Sequence, residues 1–171
     1  MVCGGALGEK ENYVCVGCHA RLPRTHYHLE EDNEVARLFW GKVPLIHAAS
    51  YFYYSKGSDY CRILYRLKYH HCKEIGEVMG RCMAVEMQTS AFFSGIDLIV
   101  PVPLHKKKER LRGYNQCEWI AKGVSAITGI PVNPSGLVRT VCNPTQTKKN
   151  VYERWNNVQH IFSVSCPEEL A

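Results

Sequence analysis

The chain has 171 residues, 46% hydrophobic and 22% charged. That is the composition of a single folded domain with a real core, and it excludes a disordered or fibrous chain. Its formal charge of +5 suits phosphate-bearing or nucleic-acid partners without requiring them. Residues 1–25 read as a glycine- and cysteine-bearing knuckle ending near Leu22-Pro23. Cys15 and Cys18 have C-x2-C spacing, and Cys3 precedes Gly4-Gly5 as the second cysteine of such a knuckle does. Tetrahedral zinc takes four ligands. Cys3, Cys15 and Cys18 are therefore candidate ligands of a structural zinc, with the fourth position left to His19, His26, His28, water or nothing. Occupancy is expected to be partial, and three reduced thiols without metal are the alternative. The opening MVCGGALGEK has neither the basic nor the apolar region of a secretory signal. The nine cysteines therefore suggest a reducing, cytoplasmic setting rather than a disulfide framework. No apolar run approaches the ~20 residues of a membrane span.

Further along, Glu34–Trp40 predicts a short amphipathic turn or helix, ended by Gly41 and Pro44. Ala48–Tyr54 is aromatic-rich and predicts a strand. Ser58 or Asp59 caps a predicted helix with Ile63, Leu64 and Leu67 on one face. A second helix is predicted from Lys73 to Gln88, with Ile75, Val78, Met79, Cys82, Val85 and Met87 toward the core. Thr89–Gly95 is a loop, and Asp97–Val100 has the continuous apolar character of a central parallel strand. Tyr114–Ile127 predicts a helix burying Cys117, Ile120, Ala121, Val124 and Ile127, closed by Gly129. Ile130–Val132 and His160–Val164 are further strand candidates around a polar, lysine-rich segment. Strand, helix and strand in that order point to an α/β sheet with βαβ units.

Between the apolar run and the helix at Tyr114 lies a basic cluster: Lys106, Lys107, Lys108, Arg110 and Arg112. In such sheets ligands sit at the carboxyl ends of the strands, and a helix start adds free N–H groups and the positive end of its dipole. Arg110 and Arg112 can hold phosphate bidentately, which lysine cannot. Lys106 and Lys107 fit a merely solvated face equally well. His105 is either an anion donor or a surface residue, and Asn115 and Gln116 either bind or simply cap.

The runs PVPLHKKKERLRGYNQCEWIAKG and RTVCNPTQTKKNVYERWNNVQHIF, behind a cysteine knuckle and Leu67-Lys68-Tyr69, closely resemble the bacterial ComF-type phosphoribosyltransferase-like proteins. These are also described as competence-protein or amidophosphoribosyltransferase homologues. The resemblance implies a type I phosphoribosyltransferase fold, a central parallel sheet flanked by helices, over residues 26–171. Residues 1–25 would then be a partial zinc ribbon appended to it. It implies binding of phosphoribosyl pyrophosphate with magnesium, and displacement of pyrophosphate from the ribose by a nitrogen nucleophile. Carried over residue by residue, the pyrophosphate would lie in a loop of Val102, Pro103, Leu104, His105, Lys106, Arg110 and Arg112. Gly113, Tyr114, Asn115 and Gln116 would complete that site. A loop closing over substrate would carry Arg139, Thr145, Gln146, Lys148, Lys149 and Arg154. The acidic ribose-phosphate loop of that family has no counterpart: Glu30-Glu31-Asp32 and Glu168-Glu169 follow no apolar strand. The chain is therefore expected to be an incomplete portion, inactive alone as a transferase. The competing expectation is a module of a competence system that handles single-stranded DNA or docks competence proteins, with Tyr51, Tyr53 and Tyr54 as stacking surfaces.

Overall fold

A computed structural model describes residues 2–9, 11–142 and 161–165. In chain order the helices are α1 (Val16–Ala20), α2 (Glu34–Arg37), α3 (Cys61–Tyr69), α4 (Glu74–Met87), α5 (Lys106–Arg112) and α6 (Gln116–Thr128). Two strands follow, β1 (Leu137–Arg139) and β2 (Phe162–Val164). They pair antiparallel, with Leu137 opposite Val164 and Arg139 opposite Phe162.

The centre of the molecule is the crossing of α4 and α6. Asn115 caps α6 by accepting from the Cys117 N–H at 3.0 Å, and Gly129 ends it in the left-handed region. α4 buries Ile75, Met79, Ala84 and Met87. The crossing itself is made by glycine. A Cβ on Gly80 would sit well inside 3.0 Å of the Ile120 carbonyl oxygen and 3.1 Å from the Gly123 Cα. A Cβ on Gly123 would collide with the Glu77 carbonyl and stand 2.9 Å from the Arg81 nitrogen. Glycine in a helix interior costs about 1 kcal/mol relative to alanine, so its presence on both faces is explained by close backbone approach. At the rim, Glu77 meets Arg81 at 3.1 Å and Lys122 of α6 at 3.5 Å.

The amino-terminal segment packs on the other side of α4. Val2, Cys18, Leu22, Ile63, Ile75 and Met79 form one buried cluster. An ionic tie reinforces it: Arg24 Nε lies 2.5 Å from Glu86 Oε2, with both side chains largely buried. Arg24→Ala removes the closer of the two partners of the Glu86 carboxylate and should cost about 2–3 kcal/mol in urea denaturation. A change below roughly 0.5 kcal/mol, ordinary for surface sites, would make the tie peripheral.

The parallel sheet expected from the sequence is not built among the described residues. Among the described residues, parallel pairing is a single bridge between Ile99 and Val132. Its hydrogen bonds run from Ile99 N–H to Pro131 at 2.9 Å and from Asn133 N–H to Ile99 at 3.0 Å. Pro101, Pro103, Pro131 and Pro134 lack the N–H that would extend this ladder. The described residues are thus mixed helix with a small two-stranded antiparallel sheet. The strand predicted over Ala48–Tyr54 is reduced to one antiparallel bridge, Phe52 to Arg24. High β propensity without a neighbour along its length does not make a strand. Val85 is 58% exposed, because the buried faces of α4 run through Ile75, Met79 and Ala84. Among the described residues no helix is long and apolar enough to cross a membrane.

Candidate functional site

The three knuckle cysteines come together. The sulfurs of Cys3, Cys15 and Cys18 all lie within 4.8 Å of one another, and those of Cys3 and Cys15 are 3.8 Å apart. Tetrahedral zinc with Zn–S bonds of about 2.3 Å requires sulfurs about 3.8 Å apart, so this edge already has the required length. It is far too long for a disulfide, whose sulfurs lie about 2.05 Å apart. Local folding sets the cluster. Cys15 caps α1 and accepts from the Cys18 N–H at 3.4 Å. The Glu11 carboxylate accepts from Gly8 N–H at 2.7 Å and Val16 N–H at 2.8 Å, clamping the loop onto the helix start. These two donors hold Glu11 below the usual carboxylate range.

The thiols are not equivalent. Cys3 is exposed, and its pKa is drawn down to about 7, first by the Gly5 backbone N–H and then by the Cys18 and Cys15 thiols. Cys18 is buried, and desolvation pushes its thiol up. The first negative charge therefore settles on Cys3, at the solvent edge, where it costs least desolvation. No histidine joins the cluster as found. The His19 ring lies 3.2 Å from an Arg24 guanidinium nitrogen, and His26 Nδ1 lies 3.2 Å from Glu86 Oε1. The His28 ring packs 6.2 Å from that of His26. Three thiolate donors suit a soft or borderline cation such as zinc.

The second candidate region is the basic segment, and its expected loop is corrected: Lys106–Arg112 is helix α5. Its sequence, KKKERLR, consists of helix formers. His105 caps it by accepting from the Lys107 N–H at 3.2 Å, and Gly113 closes it at φ 80°. The N–H groups of Lys108, Glu109 and Gly113 are spent on His105 and Glu109 carbonyls, so they do not form a phosphate cradle. Lys106 and Arg110 are exposed, Val102 is 54% exposed, and Pro103 is buried beside half-buried Leu104.

Past Gly113 the expected site residues bind one another. Tyr114 is buried and donates its hydroxyl to the Leu67 carbonyl at 2.6 Å. Asn115 donates to Val102 O and Glu118 Oε1, each at 3.1 Å. Its role as a cap is therefore structural. Arg112 Nη1 donates to Gln116 Oε1 at 2.7 Å, and its guanidinium lies 5.7 Å from the Tyr69 ring centre. Gln116 is 93% buried by its 7% exposure, and its Nε2 has no hydrogen-bond partner among the described residues. Arg139, by contrast, belongs to β1 and donates to the Val141 carbonyl at 3.2 Å. Thr145, Gln146, Lys148, Lys149 and Arg154 lie outside the described residues.

No protein-family model matches the chain, and no solved structure matches it significantly. The chain is similar to the DNA utilization protein YhgH of Escherichia coli strain K12, at 24% identity over 172 residues, covering 97% of this chain and 70% of that protein. The protein of the same name in Shigella flexneri is similar to the same extent.

Of the tyrosines expected to stack, Tyr53 and Tyr54 are 50% and 66% exposed, whereas Tyr51 is half-buried beneath Arg24. Tyr65 and Tyr69 were not anticipated. They are 57% and 53% exposed, with ring centres 5.0 Å apart. Their i, i+4 spacing, with Arg62 and Arg66 interleaved, is visible in the sequence as RILYRLKY.

Proposed function

We propose that the chain binds a phosphoribosyl pyrophosphate-type ligand, with the diphosphate held between the end of α5 and the start of α6. The supporting observation is Gln116. It is buried in the first turn of a 13-residue helix, fixed by Arg112, and its Nε2 is left without a partner. A diphosphate oxygen would satisfy that amide while meeting the guanidinium and the helix dipole. The Ile99–Val132 bridge, with α6 between its two halves, is what a βαβ unit of the phosphoribosyltransferase type would build on. Magnesium, when bound with such a ligand, supplies charge neutralisation. Among the described residues the cluster able to hold a metal is thiolate, which does not suit magnesium. The three thiols would hold zinc in a structural role.

Isothermal titration with pyrophosphate tests the site. Arg112→Ala and Gln116→Leu should each weaken binding about tenfold, the loss expected for a charge-assisted or otherwise buried hydrogen bond. Lys106→Ala should bind like wild type. Equal binding by wild type and Arg112→Ala would remove the site from consideration. A second reading, direct handling of single-stranded DNA, is supported by the name of the similar proteins and by the exposed tyrosines.

A further inference from the structure

Helix α3 buries Ile63 and Leu67 and turns Tyr65 and Tyr69 outward. The two rings stand 5.0 Å apart and are inclined by 47°. His70 extends the row, its ring 5.1 Å from that of Tyr65. At the other end the Arg112 guanidinium lies over Tyr69, 5.7 Å from the ring centre. Packing of the core does not call for this row, because each tyrosine leaves more than half of its surface to solvent. The charge beside it is one-sided. α3 carries three Lys and Arg and no acid, and α5 carries five against Glu109. Arg62 is partly occupied, at 3.4 Å from Asp59 and donating to the Val2 carbonyl at 3.1 Å. Among the described residues no ion pair joins an acid to a cation of α5.

We propose that the joined face of α3 and α5 binds a single strand of nucleic acid, with successive bases stacking on Tyr69 and Tyr65 and the phosphates running along α5. This inference rests on the second reading above and assigns it a site. Exposed rings offer the flat faces that unpaired bases require, and arginine beside a ring strengthens stacking while meeting phosphate. A duplex keeps its base faces buried, so it would use the cations and ignore the tyrosines. An acidic peptide would likewise use the charge alone. The site also adjoins the α6 start through Arg112, which contacts both Tyr69 and Gln116.

The test is fluorescence anisotropy of labelled oligothymidylate with the full chain. Wild type should bind, and more weakly as salt rises. Tyr65→Leu with Tyr69→Leu should weaken binding at least about tenfold, and Tyr65→Phe with Tyr69→Phe should keep it, because stacking needs the ring and not the hydroxyl. Photocrosslinking of wild type to the same strand, read by mass spectrometry, should mark residues of α3, and it does not depend on how the variants fold. Pyrophosphate titration of Tyr65→Leu alone, which leaves the contact of Tyr69 with Arg112 in place, should match wild type, so failure of the anion site and failure of this face register separately. No binding by wild type, undiminished binding by a folded leucine pair, or crosslinks confined to other elements would each overturn the proposal.

Discussion

Gly123→Ala is expected to destabilise the chain by about 3 kcal/mol or more, toward the upper end for overpacking a tight contact. The sign is the informative part. On helix propensity alone the change should stabilise by about 1 kcal/mol. It destabilises here because the new methyl group meets the Glu77 carbonyl and the Arg81 nitrogen, which belong to the backbone of α4. A side chain can rotate away, whereas a helix backbone has to move as a body. Gly80→Ala meets the Ile120 carbonyl in the same way and should behave alike. Urea denaturation measures both, with Ala126→Gly on the exposed side of α6 reporting the propensity term alone. A Gly123→Ala chain more stable than wild type would show that α4 and α6 do not cross at these glycines.

Cys15→Ser should abolish metal binding. Wild type should take up a single zinc or cobalt ion, and the cobalt form should show thiolate-to-metal absorption. Cys15 is the hinge of the cluster, since it caps α1 and stands 3.8 Å from Cys3. Uptake should also depend on pH. The ion requires thiolates, so its affinity falls as pH falls. Cys3 is largely ionised above its pKa of about 7 and stops contributing there, whereas buried Cys18 still releases a proton at higher pH. The dependence should therefore steepen below about pH 7, where Cys3 also binds a proton. Uptake unchanged across that range, or retained by Cys15→Ser, would show that these sulfurs are not the ligands.

The long helices were legible because their periodicity and their ends agree. The reading Lys73–Gln88 became Glu74–Met87, and Tyr114–Ile127 became Gln116–Thr128. Gly129 closes α6 as read, and Asn115, which the sequence leaves open between binding and capping, is its N-cap. The meeting of Cys3, Cys15 and Cys18 was legible from spacing. Helix α5 was missed because a run of charges has no apolar stripe to betray its period, although its propensity is high. The strand predicted at Asp97–Val100 had the right composition, but flanking prolines leave it a single rung at Ile99. β1 was missed because three residues are too short to show alternation. The approach of Gly80 to Gly123 exists only between two helices distant in sequence, so neither helix shows it alone, and Gly76 faces Trp119 and Leu67 instead.

Cys18 shares its burial with Ile63, Ile75 and Met79, residues that lie 45 to 61 positions later. Arg24 likewise waits for Glu86, 62 positions on. As the chain leaves the ribosome, the thiol-bearing segment emerges well before anything that can cover it. During that interval its sulfurs are open to oxidants and to whichever thiophilic cation arrives first. Capture of an ion then would close the turn from Cys15 to Cys18 early and present Cys18 and Leu22 as a ready-made docking edge when α3 and α4 appear. With an ion held by these thiols, as proposed, the order of synthesis would let metal supply act on folding before the core exists.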